Sequence, residues 1–167
     1  MNDLPTLSRD ALLATARERS GLGDFGDMWF IEPMDRYLES LHGEARLTDA
    51  GAAAQREVIV KGLVSRLRLI DDLKRHPEIL DEKVEVAGII LGLPRTGSTI
   101  FHRLLASAPG MTAIRWWEGQ NYAPFPGEER GKPVERRAAA QAMLDGWLNV
   151  VPGLMSIHPL VIDGTDE

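Results

Sequence analysis

Residues 84–108, VEVAGIILGLPRTGSTIFHRLLASA, constrain this chain more than any other stretch. Residues 86–91 are a short apolar run rich in branched side chains, which predicts a strand buried on both faces. Gly92 to Gly97 predicts a turn that stops it. Ser98 and Thr99 then open a helix on which Phe101, Leu104, Leu105 and Ala108 recur at helical spacing. Pro109 and Gly110 end that helix. Strand, glycine-bearing turn and helix together predict an α/β fold built on a parallel sheet.

The same layout has a chemical use. The first amide N–H groups of a helix lack intrahelical partners, and the helix dipole adds about half a positive charge at that end. A small turn lets an anion rest on those groups. Thr96, Ser98 and Thr99 add hydroxyl donors. Arg95 adds a permanent cation whose planar fork suits phosphate or sulfate oxygens. The stretch therefore reads as a site for a phosphate-class anion; the alternative is an ordinary strand-to-helix turn punctuated by Gly and Ser/Thr. The spacing Gly92-x-x-x-x-Gly97-Ser98-Thr99 approaches the triphosphatase loop GxxxxGK[ST], but Ser98 stands where that loop has Lys. Without the Lys, the clamp on the terminal phosphates is compromised. A nucleotide kinase or triphosphatase is thus the weaker reading, and a cradle for one phosphate group the stronger.

Upstream the pattern is helical. Ser8 caps a predicted helix over residues 7–20, with Leu12, Leu13 and Ala16 on its apolar side. Gly21 and Gly23 break it. Phe25, Trp29 and Phe30 follow, either as an aromatic staple or as the wall of a pocket. Pro33 opens a second helix running to about His42. Thr48 caps a long third helix to about Arg75, whose stripe is Ile59, Leu63, Leu67 and Ile70, widened by Val60 and Val64. Glu57, Lys61, Arg66, Arg68, Asp71 and Asp72 read as its solvated face, and Pro77 enforces the stop. Residues 1–80 thus form a helical cap region, and residues 84–167 the α/β part, the whole treated as one structural unit. Downstream, residues 111–116 and 160–162 read as further short strands. Residues 119–132 read as a loop open to movement, and Pro133 starts a helix to about Val150 with Ala140, Leu144, Trp147 and Val151 inward.

Composition narrows the function. The 167 residues, 44% apolar and 26% charged, suit one soluble domain. A net charge of −6 argues against a nucleic-acid binder, which needs a basic face. With no Cys, disulfides and thiolate metal sites are excluded, and the four His have no metal-ligand spacing, so no metal is expected. No apolar run nears the ~20 residues of a membrane span, and the N-terminus has no leader pattern, so a cytoplasmic protein is the expectation.

GLPRTGSTIFHRLL resembles the 5′-phosphosulfate-binding loop of sulfotransferases, whose variants read PKSGTT or PRSGTT. GLGDFGD at residues 21–27, HPEI at 76–79 and WWE at 116–118 also resemble a bacterial sulfotransferase family, so the resemblance covers nearly the whole chain. It implies a P-loop-like parallel sheet and 3′-phosphoadenosine 5′-phosphosulfate (PAPS) as co-substrate. The sulfuryl group would pass to the hydroxyl or amine of a small-molecule acceptor. Pro94, Arg95, Thr96, Gly97, Ser98 and Thr99 would bind the donor, with Arg95 also stabilising charge on its bridging oxygen. Similarity to tyrosylprotein sulfotransferases, which carry a Glu soon after the same unit, makes Glu118 the candidate base. The alternatives are that Glu118 caps a turn or pairs with Arg115, and that His158 is the base; His102 reads as a packing residue. In the family, an Arg and a Ser on a later strand and helix hold the 3′-phosphate. No counterpart precedes Glu167, so the resemblance implies the N-terminal part of such an enzyme, with an incomplete sheet of at most three strands. Its unpaired sheet edges are then expected to favour self-association.

Overall fold

The computed structural model describes residues 7–93 and 96–165 of the 167. They group into two compact units, divided between Leu80 and Asp81. Among the described residues there are helices and irregular segments, and no strand.

In the first unit, local sequence explains each helix. α1 (Arg9–Ser20) begins at Ser8, whose hydroxyl accepts the Ala11 N–H at 3.3 Å, and ends at Gly21 in the left-handed conformation, φ 70°. α2 (Ile31–Gly43) carries Pro33 in its first turn, where no intrahelical N–H bond is lost. α3 (Asp49–Arg75) begins at Thr48, which accepts the Gly51 N–H at 3.1 Å, and ends before Pro77. A 3-10 turn, Pro77–Asp81, follows. α1 packs along α3, and the core gathers Leu12, Leu13 and Ala16 of α1, Met34, Leu38 and Leu41 of α2, and Val60, Leu63, Val64 and Leu67 of α3. The sequence stripe of α3 is thus met with a small rotation: Ile59 is only partly buried, and so is Ile70.

The aromatic segment between α1 and α2 is a staple. Phe25 is buried in the core. Arg66 of α3 donates to the carbonyls of Phe25, at 2.8 Å, and Asp27, and its guanidinium lies 4.6 Å from the Phe30 ring centroid. Lys74 pairs with Asp24, holding that carboxyl below its usual range. Gly26 is required here: its φ is +67°, and a Cβ would lie 2.6 Å from the Ile70 side chain. The charged residues of α3 are therefore not all a solvated face. Arg66 ties down the loop, and Asp72 is buried, accepting from Arg75.

In the second unit, α4 is Ser98–Ala106, α5 Trp116–Gln120, α6 Val134–Val150 and α7 Leu154–Ile157. Its core is Trp116, Trp117, Ala140, Leu144 and Leu160, with Trp116 edge-on to Trp147 at 5.7 Å. The loop between α5 and α6 is held rather than loose. Arg136 pairs with Glu128 at 2.7 Å, donates to the Asn121 carbonyl at 3.0 Å and lies 5.0 Å from the Trp117 ring centroid. Asn121 returns a bond to the Arg136 carbonyl.

The parallel sheet expected from the sequence does not form, and the P-loop-like α/β assignment is corrected accordingly: the described chain is all-helical. Residues 83–93 are irregular, and no backbone hydrogen bond among the described residues joins 83–92 to anything. Residues 111–115 lead into α5, and the carbonyls of Ile162 and Gly164 accept the Trp117 and Trp116 N–H groups at the start of that helix. The physical reason is pairing. A helix satisfies its own backbone, whereas a strand exists only beside another strand, and a lone two-stranded ribbon is marginal even with one. A branched apolar run shows what its side chains require; it does not supply the neighbour.

Candidate functional site

The candidate anion site lies where α4 starts. Pro94 and Arg95 fall outside the described residues. Past them, Gly97 adopts φ 89°, a left-handed conformation that side chains other than Gly rarely take, and it turns the chain into Ser98. The first bond of α4 runs from Phe101 N–H to the Gly97 carbonyl at 3.1 Å. The amides of Ser98, Thr99 and Ile100 have no acceptor among the described residues. No acidic side chain stands in that first turn. Thr96 donates its hydroxyl to the Leu93 carbonyl at 2.7 Å, and a Cβ on Gly92 would sit 3.1 Å from the Thr96 oxygen. The first amides of α4 are thus bare among the described residues, with half-buried Ser98 and Thr99 carrying hydroxyls beside them. Bare amides at a helix start are groups on which an anion can rest.

Glu118 is placed elsewhere, on α5, which packs on α6. Its Oε2 accepts the Arg115 N–H at 2.7 Å, the carboxylate half of a capping box, so Glu118 restrains the entry to its own helix. Its other oxygen has no hydrogen-bond partner among the described residues. No hydrogen bond among the described residues joins Glu118 to residues 96–99. His158 and His102 are half-buried, the first just past α7 and the second within α4. Among the described residues, no three His, Cys, Asp or Glu side chains gather in a way that could hold a metal ion. None of the described helices is long and apolar enough to cross a membrane.

A fold of this kind has been seen in a sulfotransferase. The chain is similar to the crystal structure of sulfotransferase STF1 from Mycobacterium tuberculosis H37Rv, with 27% identity and a TM-score of 0.70 over 96% of its own length. The fold is therefore sulfotransferase-like. The chain spans 44% of that protein, less than half of it. No protein-family model matches the chain, and no curated protein does.

The sequence did not signal Arg136 and Glu128, which hold the segment after α5. Glu128 lies in the irregular segment before α6 and Arg136 within that helix, so no single periodicity relates the two and nothing in the pattern marks the pair.

Proposed function

We propose that this chain carries the donor-binding loop of a PAPS-dependent sulfotransferase, whose sulfuryl group passes to the hydroxyl or amine of a small-molecule acceptor. The observation that carries the reading is the likeness to STF1 across 96% of the chain, with the bare amides of α4 falling in the loop that the resemblance assigns to the donor. When bound, PAPS supplies the sulfuryl group. Ser98, Thr99 and their amides hold its terminal group. Arg95 stabilises the negative charge that collects on the oxygen released. Arg95 does this as a fixed cation, since a guanidinium does not give up a proton at ordinary pH. Glu118 takes the acceptor's proton through the oxygen left free by its capping bond. Its attachment to the Arg115 amide fixes that oxygen's direction.

Calorimetry with 3′-phosphoadenosine 5′-phosphate tests the reading. Wild-type chain binds, and Arg95→Ala weakens binding by about 1.5–3 kcal/mol, the scale of a hydrogen bond to a charged group. Equal affinity in the two proteins removes Arg95 from its role, and no binding by wild type removes the donor site altogether. In a sulfuryl-transfer assay, Glu118→Gln lowers turnover while donor affinity stays unchanged; undiminished turnover rules it out as the base.

A further inference from the structure

α5 is too short to set its own direction. A helix of 5 residues gains few internal bonds against the cost of starting one, so its geometry comes from what holds its ends. Its first amides need acceptors from outside the helix. Trp116 donates to the Gly164 carbonyl at 2.8 Å, and Trp117 to the Ile162 carbonyl at 3.1 Å. These two carbonyls flank Asp163. A bend closed by the Gly164 N–H on the Val161 carbonyl, at 2.9 Å, keeps them together. The Asp163 carboxylate is in turn gripped by Arg137, near the start of α6: Nη2 donates to Oδ2 at 2.6 Å, and Nη1 donates to Oδ1. The same guanidinium lies 5.8 Å from the Trp117 ring centroid. The opening of α5 therefore hangs on α6 through one bidentate ion pair.

Glu118 rides on that opening turn. Its Oε2 accepts the N–H of Arg115, the residue just before the two amides that the 161–164 bend holds. The carboxylate is thus tied to Arg115, Arg115 leads directly into Trp116 and Trp117, and those are tied to α6 through Asp163. The pair itself is 35% and 52% exposed, so it adds little to overall stability. What a two-bonded guanidinium–carboxylate pair does fix is an angle as well as a distance. The hydrogen bond from Arg137, backed by its charge and that of Arg115, keeps the Asp163 carboxyl below its usual range, so the grip is closed at neutral pH. We infer that Arg137 and Asp163 are positioning residues that aim the Glu118 carboxylate at the acceptor's proton, which rests on the reading of Glu118 as the base of sulfuryl transfer.

The test approaches the pair from both sides, with Arg137→Gln and Asp163→Asn made separately in the full chain. In each, NMR should show the Trp116 and Trp117 amides exchanging about tenfold faster, as a local opening would. The Arg115 amide proton should lose the downfield shift that its carboxylate bond gives it. Protection at Ala140 and Leu144 should stay as in wild type, which shows that α6 still folds. With PAPS as donor, both variants should lower kcat about tenfold while the donor KM holds, because a misaimed base slows the chemical step and not donor binding. An Arg115 signal unmoved in both variants overturns the inference, since the bend then braces α5 without reaching Glu118. Glu118→Gln tells the two failures apart. If it is impaired while both pair variants turn over like wild type, the positioning role fails alone. If it turns over like wild type, or wild type itself transfers nothing, the base reading fails, and the Arg115 signal still decides whether the pair sets the Glu118 carboxylate.

Discussion

Residues 7–80 and residues 84–106 use the same apolar side chains to opposite effect. Leu67 and Val60 are completely buried, while Leu91 is 89% exposed. Both regions have the spacing that normally buries a face, so hydrophobicity does not separate them. Company does. α1, α2 and α3 meet one another, and each brings caps and closing residues that finish its ends: Ser8, Gly21, Thr48 and the stop at Pro77. α4 has a left-handed Gly97 before it but no buried residue, and the backbone of residues 83–92 makes no hydrogen bond among the described residues. A patterned face is a demand for a partner, and stability comes only where the chain also supplies one.

The comparison breaks most readily by matched truncations. Leu67→Ala should lower unfolding free energy by about 4 kcal/mol, the scale for emptying a fully buried leucine site. Leu91→Ala removes the same atoms from a side chain already in water, and should change stability by less than about 0.5 kcal/mol. Urea unfolding followed by circular dichroism reads both. Similar losses in the two variants would mean that residues 84–93 are packed in solution, and the contrast would fail.

A second substitution locates the border inside the second unit. Glu128 and Arg136 are mostly buried and satisfy each other, so Glu128→Gln leaves a cation against Trp117 without its counter-charge. The expected cost is about 3 kcal/mol, at the low end for breaking a buried pair because Arg136 keeps some contact with water. Amide exchange should quicken in residues 116–121 and in α6 while α4 stays as it was. A variant that quickened α4 as much as α6 would show that the two share one cooperative unit.

These elements also show what the sequence carries legibly. Caps and stops are local, so Ser8, Thr48 and Pro77 could be read from neighbours three or four positions away. The α3 stripe could be read because burial repeats with the helix. Arg66 could not be, since its carbonyl partners lie 39 and 41 positions upstream and a charge on a helix looks solvated until its partner is known. The strand at 86–91 was misjudged for the converse reason: its composition reports what a strand would need, and pairing depends on chain elsewhere. At the candidate site, the helix start at Gly97–Ser98 was legible from Gly followed by Ser and Thr. The capping bond of Glu118 was open to the sequence as an alternative, a turn cap beside Arg115, although Arg115 is not the Ser or Thr that usually marks such a box.

The smallest effect concerns how the first unit is laced. Arg19 of α1 grips Glu57 of α3 through two bonds, at 2.6 and 2.8 Å, and Arg56 adds a third at 3.1 Å. The hydrogen bond from Arg19 is the main cause that holds the Glu57 carboxyl below its ordinary value. A carboxyl lowered in the folded state binds its proton more readily when unfolded. Its contribution is therefore fully present above the unfolded value and disappears as pH falls through the folded one. Both partners are about half exposed, so the pair contributes well under 1 kcal/mol at neutral pH, and less in high salt. Melting curves of wild type and Glu57→Gln should accordingly differ slightly at pH 7 and merge as the pH drops below the usual carboxylate range. Because the pair ties α1 to α3 alone, exchange in residues 84–106 should be indifferent to the substitution at every pH. A gap between the two melting curves that widened on acidification would show that Glu57 is protonated more easily in the folded chain, the opposite of what its two arginine neighbours require.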